Sequence, residues 1–238
     1  MTSRRKFLDS MALGATALAA MPAALAATPA AHSPDTGRDA YPALPPDLRG
    51  LAQDTWDTTW GTRLTGKVKT CFDVPEIEAG FPVWRASIWA GQYQDVLKAA
   101  PKDLSTALVL RHNAIFLAMQ QSFWDKYGTG KAHKVTHPLT GQPTDKNPAL
   151  MGAADGVAAP FSDFALDKFL GRGGVALACN LALQFLVVPV VQQADAITPE
   201  AAYTKAKSLL VPGVILQPSG MFAVMRAQEA GCYYFRAS

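Results

Sequence analysis

From about residue 65 onward, short apolar runs alternate with stretches of helical periodicity. Val68, Thr70 and Phe72 alternate with their neighbours and predict a strand over 67–74. Trp84, Ile88, Tyr93 and Val96 recur at roughly helical spacing and predict a helix over 82–99, ended by Pro101. Leu104–Leu110 is almost unbroken apolar sequence, as expected of a parallel strand covered on both faces. Ile115, Met119 and Phe123 share a stripe and predict one helix over 113–127. Residues 128–160 are rich in Gly and Pro and read as a loop, long enough to be either functional or poorly ordered. A short helix is expected over 161–170, with Ser162 as its cap.

Gly171, Gly173 and Gly174 then turn the chain into a third strand, Val175–Cys179, followed by a helix over 180–193. The apolar run 181–191 is too short to span a bilayer and carries Gln184 and Pro189, so it reads as a buried or subunit-facing helix. Thr198-Pro199-Glu200 is a helix start, with a cap and a first-turn proline, and that helix ends near Leu210. A fourth strand over 214–217, a helix over 221–230 closed by Gly231, and a final strand over 232–235 complete the chain. Strands that alternate with helices imply an α/β fold: three layers, with a mostly parallel sheet and helices on both faces.

The N-terminus departs from this pattern. Ser3-Arg4-Arg5-Lys6-Phe7-Leu8 resembles the twin-arginine export consensus. An Ala-rich stretch with Gly14 and Pro22 follows, less apolar than a membrane anchor. Ala24-Leu25-Ala26 offers the small residues that a signal peptidase reads, so cleavage is expected after Ala26 or Ala27. The expected organisation is a signal at 1–26, a Pro-rich extended leader at 27–64 and an α/β domain at 65–238. The expected location is the periplasm, reached through the twin-arginine translocase, with no stable membrane anchor.

Composition agrees with a globular domain, with 49% apolar and 17% charged residues. The formal charge of +3 comes mainly from the signal. Without Arg4, Arg5, Lys6 and Asp9, the 22 basic and 19 acidic residues come close to balance. No Lys/Arg-rich patch remains, so nucleic acid is not an expected partner.

Four segments carry a family resemblance: Val175-Ala176-Leu177-Ala178-Cys179-Asn180-Leu181-Ala182-Leu183, Leu210-Val211-Pro212-Gly213-Val214, Pro218-Ser219-Gly220-Met221, and Ala227-Gln228-Glu229-Ala230-Gly231-Cys232-Tyr233-Tyr234. Together they resemble the DsrE/DsrF-like family across about residues 65–236, most specifically from Val175 onward. The resemblance implies a flavodoxin-like layout, assembly into homo-oligomers, and a strand-end cysteine that in some members carries sulfur as a persulfide. Cys179 is the matching residue here. No cofactor is implied.

In open parallel sheets, ligands bind beyond the carboxyl ends of the strands. Three turns deliver polar residues to that edge: Arg111-His112-Asn113, Cys179-Asn180 and Ser219-Gly220. Cys179 at a helix start would be favoured as thiolate, the nucleophile of persulfide chemistry. His112 is the candidate proton carrier. Arg111, Asn113, Asn180, Ser219 and Gly220 are the candidate ligand-binding residues, Ser219 through its hydroxyl and the N–H groups of its turn. Each has an ordinary alternative: a packed small thiol, a half-buried histidine, a helix cap. One rival reading is a non-catalytic module that binds a small ligand or assembles through helix 181–191 and the Trp-rich first half. Another is a metal site using His112, His133 and His137, though Gly128, Gly130 and Pro138 make the His133–His137 spacing that of a loop. Cys71 and Cys232 could pair in an oxidising compartment, but within one sheet such a bridge is strained. There is no CxxC, phosphate loop, nucleophile elbow or glycosidase-like carboxylate pair.

Overall fold

All five strands expected from the apolar pattern form, and every neighbouring pair is parallel. They are β1 (Val68–Val74), β2 (Leu104–Leu110), β3 (Val175–Cys179), β4 (Ile215–Gln217) and β5 (Tyr233–Arg236), in the sheet order β4-β3-β2-β1-β5. The structure, a computed structural model, describes residues 55–238; the expected signal, 1–26, and residues 27–54 of the expected leader lie outside the described residues.

Among the described residues, besides the single helical turn Thr129–Ala132, six helices of six or more residues cover the sheet: α1 (Phe81–Leu97), α2 (Gln121–Tyr127), α3 (Leu166–Gly171), α4 (Asn180–Asp195), α5 (Pro199–Ser208) and α6 (Gly220–Glu229). Their distribution follows from connection handedness. The chain steps from β1 to β4 in one direction, so right-handed crossovers place α1–α5 on one face. The return from β4 to β5 reverses direction and places α6 on the other face, against all five strands. The result is a three-layer α/β fold with a flavodoxin-like layout.

The two cores follow the period-2 alternation of the strands. Phe72, Val74, Leu108, Leu110, Ala176 and Ala178 face α1–α5. Cys71, Ala107, Val109, Val175 and Leu177 face α6, where Ala223 and Ala227 meet them. One helix cannot fill that second face. The turn Thr59–Arg63 completes it by inserting Trp60, which is 1% exposed. The Trp60 indole N–H donates to Gln217 Oε1 at 3.0 Å, and Gln217 Nε2 donates to the Asp57 carbonyl at 2.7 Å. A buried amide at the end of β4 thus fixes the chain that leads into β1.

Three local expectations need correction. Residues 113–127 are not one helix: a 3-10 turn, His112–Ala118, is followed by extended Met119 and Gln120 and then α2. The helical stripe loses here to pairing across the chain. Gln120 N–H donates to the Leu209 carbonyl at 2.9 Å, and its Nε2 donates to the Ser208 and Leu210 carbonyls. Ser162 caps nothing: Pro160 precedes the turn Phe161–Phe164, and Ala165 precedes α3. Helix α4 is interrupted by a π segment, Leu183–Val187. Pro189 lacks the N–H that would bond the carbonyl of Phe185, so the ladder must shift register there.

The long segment 128–160 is held by a buried amide. Asn147, fully buried, donates to the Leu117 and Met119 carbonyls at 3.1 and 2.7 Å and accepts from Ala149 N–H. Met151 and Val157 then pack on Trp84. Among the described residues, no single helix is long and apolar enough to cross a membrane. The apolar pair α4 and α5, bent by 111°, buries its faces against the sheet.

Candidate functional site

Helix α4 leaves β3 on one face of the sheet and α6 leaves β4 on the other. A crevice must open between two neighbouring strands whose following helices diverge in this way, and such switch points are where open α/β sheets take ligands. A cleft of about 380 Å³ lies there. Its polar end is formed by Arg111, His112, Cys179, Ser219 and Gly220; Leu181, Phe185, Leu186 and Met221 form apolar walls.

Cys179 is the last residue of β3 and the cap of α4. Its Sγ accepts the Ala182 N–H at 3.4 Å. The residue is 6% exposed, so the thiol sits in the cleft wall rather than on an open surface. It is not enclosed by hydrocarbon alone, because the Arg111 guanidinium lies within electrostatic reach. Ser219 caps α6 in the same manner, its Oγ accepting Phe222 N–H at 3.0 Å. Two helix N-termini therefore converge on one cleft, and the partial positive charge of each favours an anion there.

Arg111 supplies a full charge, and its position is set from β1. Its Nε and Nη2 donate to Asp73 Oδ1 and Oδ2 at 2.6 and 2.8 Å. Tyr234 on β5 donates its hydroxyl to Asp73 Oδ2 at 2.9 Å. Asp73 is 3% exposed. Its hydrogen bond is the main cause holding the guanidinium above its ordinary proton affinity, with Tyr234 and Cys179 adding in the same direction against burial. Asp73, Tyr234, Arg111 and Cys179 thus form a line across four neighbouring elements.

His112 lines the cleft in a left-handed conformation, φ +50°, unusual for a non-glycine residue and a local strain. Its Nδ1 lies 3.3 Å from Glu76 Oε1, and its side chain is largely exposed. Glu76 Oε2 accepts from Asn113 Nδ2 at 2.8 Å.

Of the seven residues expected at this site, the fold brings five together in the cleft: Cys179, His112, Arg111, Ser219 and Gly220. The other two point elsewhere. Asn113 turns to Glu76. Asn180 is buried and accepts the Tyr203 hydroxyl at 2.8 Å, tying α4 to α5. Sequence reasoning missed Asp73, although a lone carboxylate near the end of an apolar strand is a legible signal. It also missed the apolar walls, whose 181, 182, 185, 186 spacing marks one face of α4.

The remaining histidines lie apart from this cleft. His133 packs against Phe116, ring centres 4.2 Å apart and planes tilted by 47°, and burial lowers its proton affinity. His137 Nδ1 accepts from Leu139 and Thr140 N–H groups, so Nε2 carries the proton donated to the Asp155 carbonyl at 2.9 Å. Among the described residues, no group of three His, Cys, Asp or Glu side chains is placed to hold a metal ion. Cys71 and Cys232 are unpaired thiols in the α6-facing core. Desolvation pushes them up to about 12 and about 11 respectively. Compared with known proteins, the chain matches no family model, no curated protein and no solved structure.

Proposed function

We propose that this chain is an exported DsrE-like protein that handles thiols or sulfane sulfur through Cys179. The single observation that carries this reading is the setting of the Cys179 sulfur. It caps a helix, opens on a cleft at the sheet's switch point, and lies near a guanidinium locked by a buried carboxylate. The helix N-terminus and the Arg111 guanidinium both bring positive charge to the cleft that the sulfur borders.

In the proposed step, the Cys179 thiolate attacks the terminal sulfur of a persulfide R–S–SH. The new bond is Sγ–S, the S–S bond of the donor breaks, and the leaving RS⁻ takes the proton of the transferred sulfur and departs as RSH, so that Cys179 is left as the persulfide anion Sγ–S⁻. Arg111 stabilises the anionic sulfur, and His112 at the mouth is placed to exchange the proton with solvent. Nothing is oxidised overall, because the sulfane sulfur only changes carrier. The walls of Leu181, Phe185, Leu186 and Met221 fit an R group with an apolar body.

The test is mass spectrometry after exposure to an organic persulfide. Cys179 should gain the mass of one sulfur atom, reversibly by reductant, while Cys71 and Cys232 stay unmodified. An unmodified Cys179 across several donors rejects the proposal. The export part of the reading rests on Ser3-Arg4-Arg5-Lys6-Phe7-Leu8, and mutating Arg4 and Arg5 to Lys should retain the chain in the cytoplasm. The homo-oligomer part is supported by the open edge strand β5, whose Tyr233, Tyr234 and Phe235 are all exposed. Light scattering of the purified chain tests it.

A second reading is a binding site without turnover. It is favoured by the apolar walls, with Phe185 58% and Met221 69% exposed at the rim. In that case Cys179→Ser leaves the physiological role intact.

A further inference from the structure

A second cleft lies at the opposite end of the sheet, where β2 and β3 begin. It has a volume of about 610 Å³, larger than the Cys179 cleft, and within the range of small-molecule sites. Helix α1 forms one wall, the turn before β3 another, and the segment leading into β1 a third.

Its charge is one-sided. Arg63, Lys102 and Arg172 line it, and no acidic side chain does so among the described residues. Asp57, near Arg63, accepts from the Thr59 N–H and hydroxyl at 2.9 and 2.7 Å. Asp103 pairs with Lys67 at 3.2 Å, and Asp163 contributes its carbonyl oxygen, not its carboxylate, to Arg172.

Arg172 is held in place although it is exposed. Its Nη1 donates to the Asp163 carbonyl at 2.6 Å and its Nη2 to Ser87 Oγ at 3.1 Å. A guanidinium fixed by two neutral acceptors keeps its whole charge for a ligand. Small residues, among them Gly91 and Gly174, also line it. Gly91 on α1 has no atom within 4 Å of where a Cβ would stand. A Cβ on Gly174 would strike the Phe169 ring at about 2.4 Å, so that position cannot carry a side chain without repacking.

Three cations around one concave space, with no lining carboxylate, concentrate positive potential in it. We propose that this cleft is a binding site for a small multiply charged anion, of the phosphorylated or polycarboxylate class, separate from the Cys179 site. The proposal does not rest on the sulfur-transfer reading, because none of its residues borders the other cleft.

The test is calorimetric titration of the purified chain with pyrophosphate, and separately with citrate, in low salt. At least one of the two should bind, with affinity falling roughly tenfold as NaCl rises from about 20 to about 200 mM. The double variant Arg63→Gln/Lys102→Gln should weaken binding roughly tenfold, whereas the control Lys131→Gln/Lys134→Gln, two exposed lysines outside the cleft, should not. Gly91→Leu should also weaken binding by adding a side chain to the cleft lining, with unchanged circular dichroism because its Cβ enters open space. Pyrophosphate binding alone assigns the phosphorylated class, and citrate binding alone the polycarboxylate class. No binding of either anion, or equal loss in the cleft and control variants, overturns the proposal.

Discussion

Gly220, the first residue of α6, lies directly beneath Arg111. A Cβ built on Gly220 would stand 2.5 Å from the Arg111 Cβ and 2.6 Å from its Cδ. Glycine is needed here for close approach, since the contact is with the stem of a side chain whose head is clamped by Asp73. Gly220→Ala should therefore push Arg111 off Asp73 and away from Cys179. The expected outcome is a clear loss of sulfur loading on Cys179, together with destabilisation of about 1–3 kcal/mol from overpacking. Denaturant unfolding and mass spectrometry check both effects. Full loading with normal stability would show that Arg111 has room to spare.

The three cysteines separate by environment. Cys71 and Cys232 lie in an apolar core that keeps both protonated. Cys179 borders a cleft. At pH 8, iodoacetamide should modify Cys179 alone in the folded chain. The same burial sets an alkaline limit. Both buried thiols have folded-state values above the ordinary 9.0, so the unfolded chain loses protons first. Their contribution to stability is complete below pH 9 and is lost as pH rises through about 11 and about 12. Denaturation midpoints should fall above pH 9, and Cys71→Ala/Cys232→Ala should flatten that fall.

His112 combines a strained backbone with a place at the cleft mouth. The two roles can be separated. His112→Asn keeps a residue type that tolerates the left-handed region, so stability should be retained while the rate of sulfur loading drops. His112→Val places a β-branched residue at positive φ and should cost about 1–3 kcal/mol of stability. Equal stability for the two variants would mean the backbone relaxes at no cost.

Much of the architecture was legible because burial patterns are local. β2 matches its apolar run end to end, and Thr198 and Ser219 cap α5 and α6 as their sequence contexts predict. The failures are tertiary. Gln120 breaks a helical stripe because carbonyls 88 and 90 residues away compete for its side chain. At the site, the rule that ligands bind beyond strand ends found Cys179, Arg111 and Ser219. It could not tell that Asn180 turns inward to Tyr203, since adjacent residues at a helix start point in different directions. Nor could it supply Asp73, whose partners Arg111 and Tyr234 become neighbours only through strand order.

Asn147 offers a test of how the long segment 128–160 is held. Its side chain joins two carbonyls of the segment before α2 to the start of the turn Pro148–Leu150, and no solvent reaches it. Replacement by Ala leaves the Leu117 and Met119 carbonyls without that donor, at about 1–3 kcal/mol. Hydrogen exchange should then quicken in residues 128–160 before it quickens in the sheet. Uniform loss of protection would instead mean that segment and sheet unfold as one unit.

The last prediction concerns the Asp73–Arg111 pair. Asp73 is buried, and two of its three side-chain hydrogen bonds come from Arg111. Arg111→Met therefore strands a buried carboxylate with only the Tyr234 hydroxyl, and should cost about 3–5 kcal/mol. Asp73→Asn still accepts one hydrogen bond from the guanidinium, so its cost should be smaller. The double variant Asp73→Asn/Arg111→Met removes the stranded charge and should regain much of the stability lost by Arg111→Met. Sulfur loading should behave differently, because it needs the cation itself. It should stay low in the double variant despite recovered stability. If loading returned along with stability, Arg111 would be a structural brace, and the negative sulfur would be held by the helix N-terminus alone.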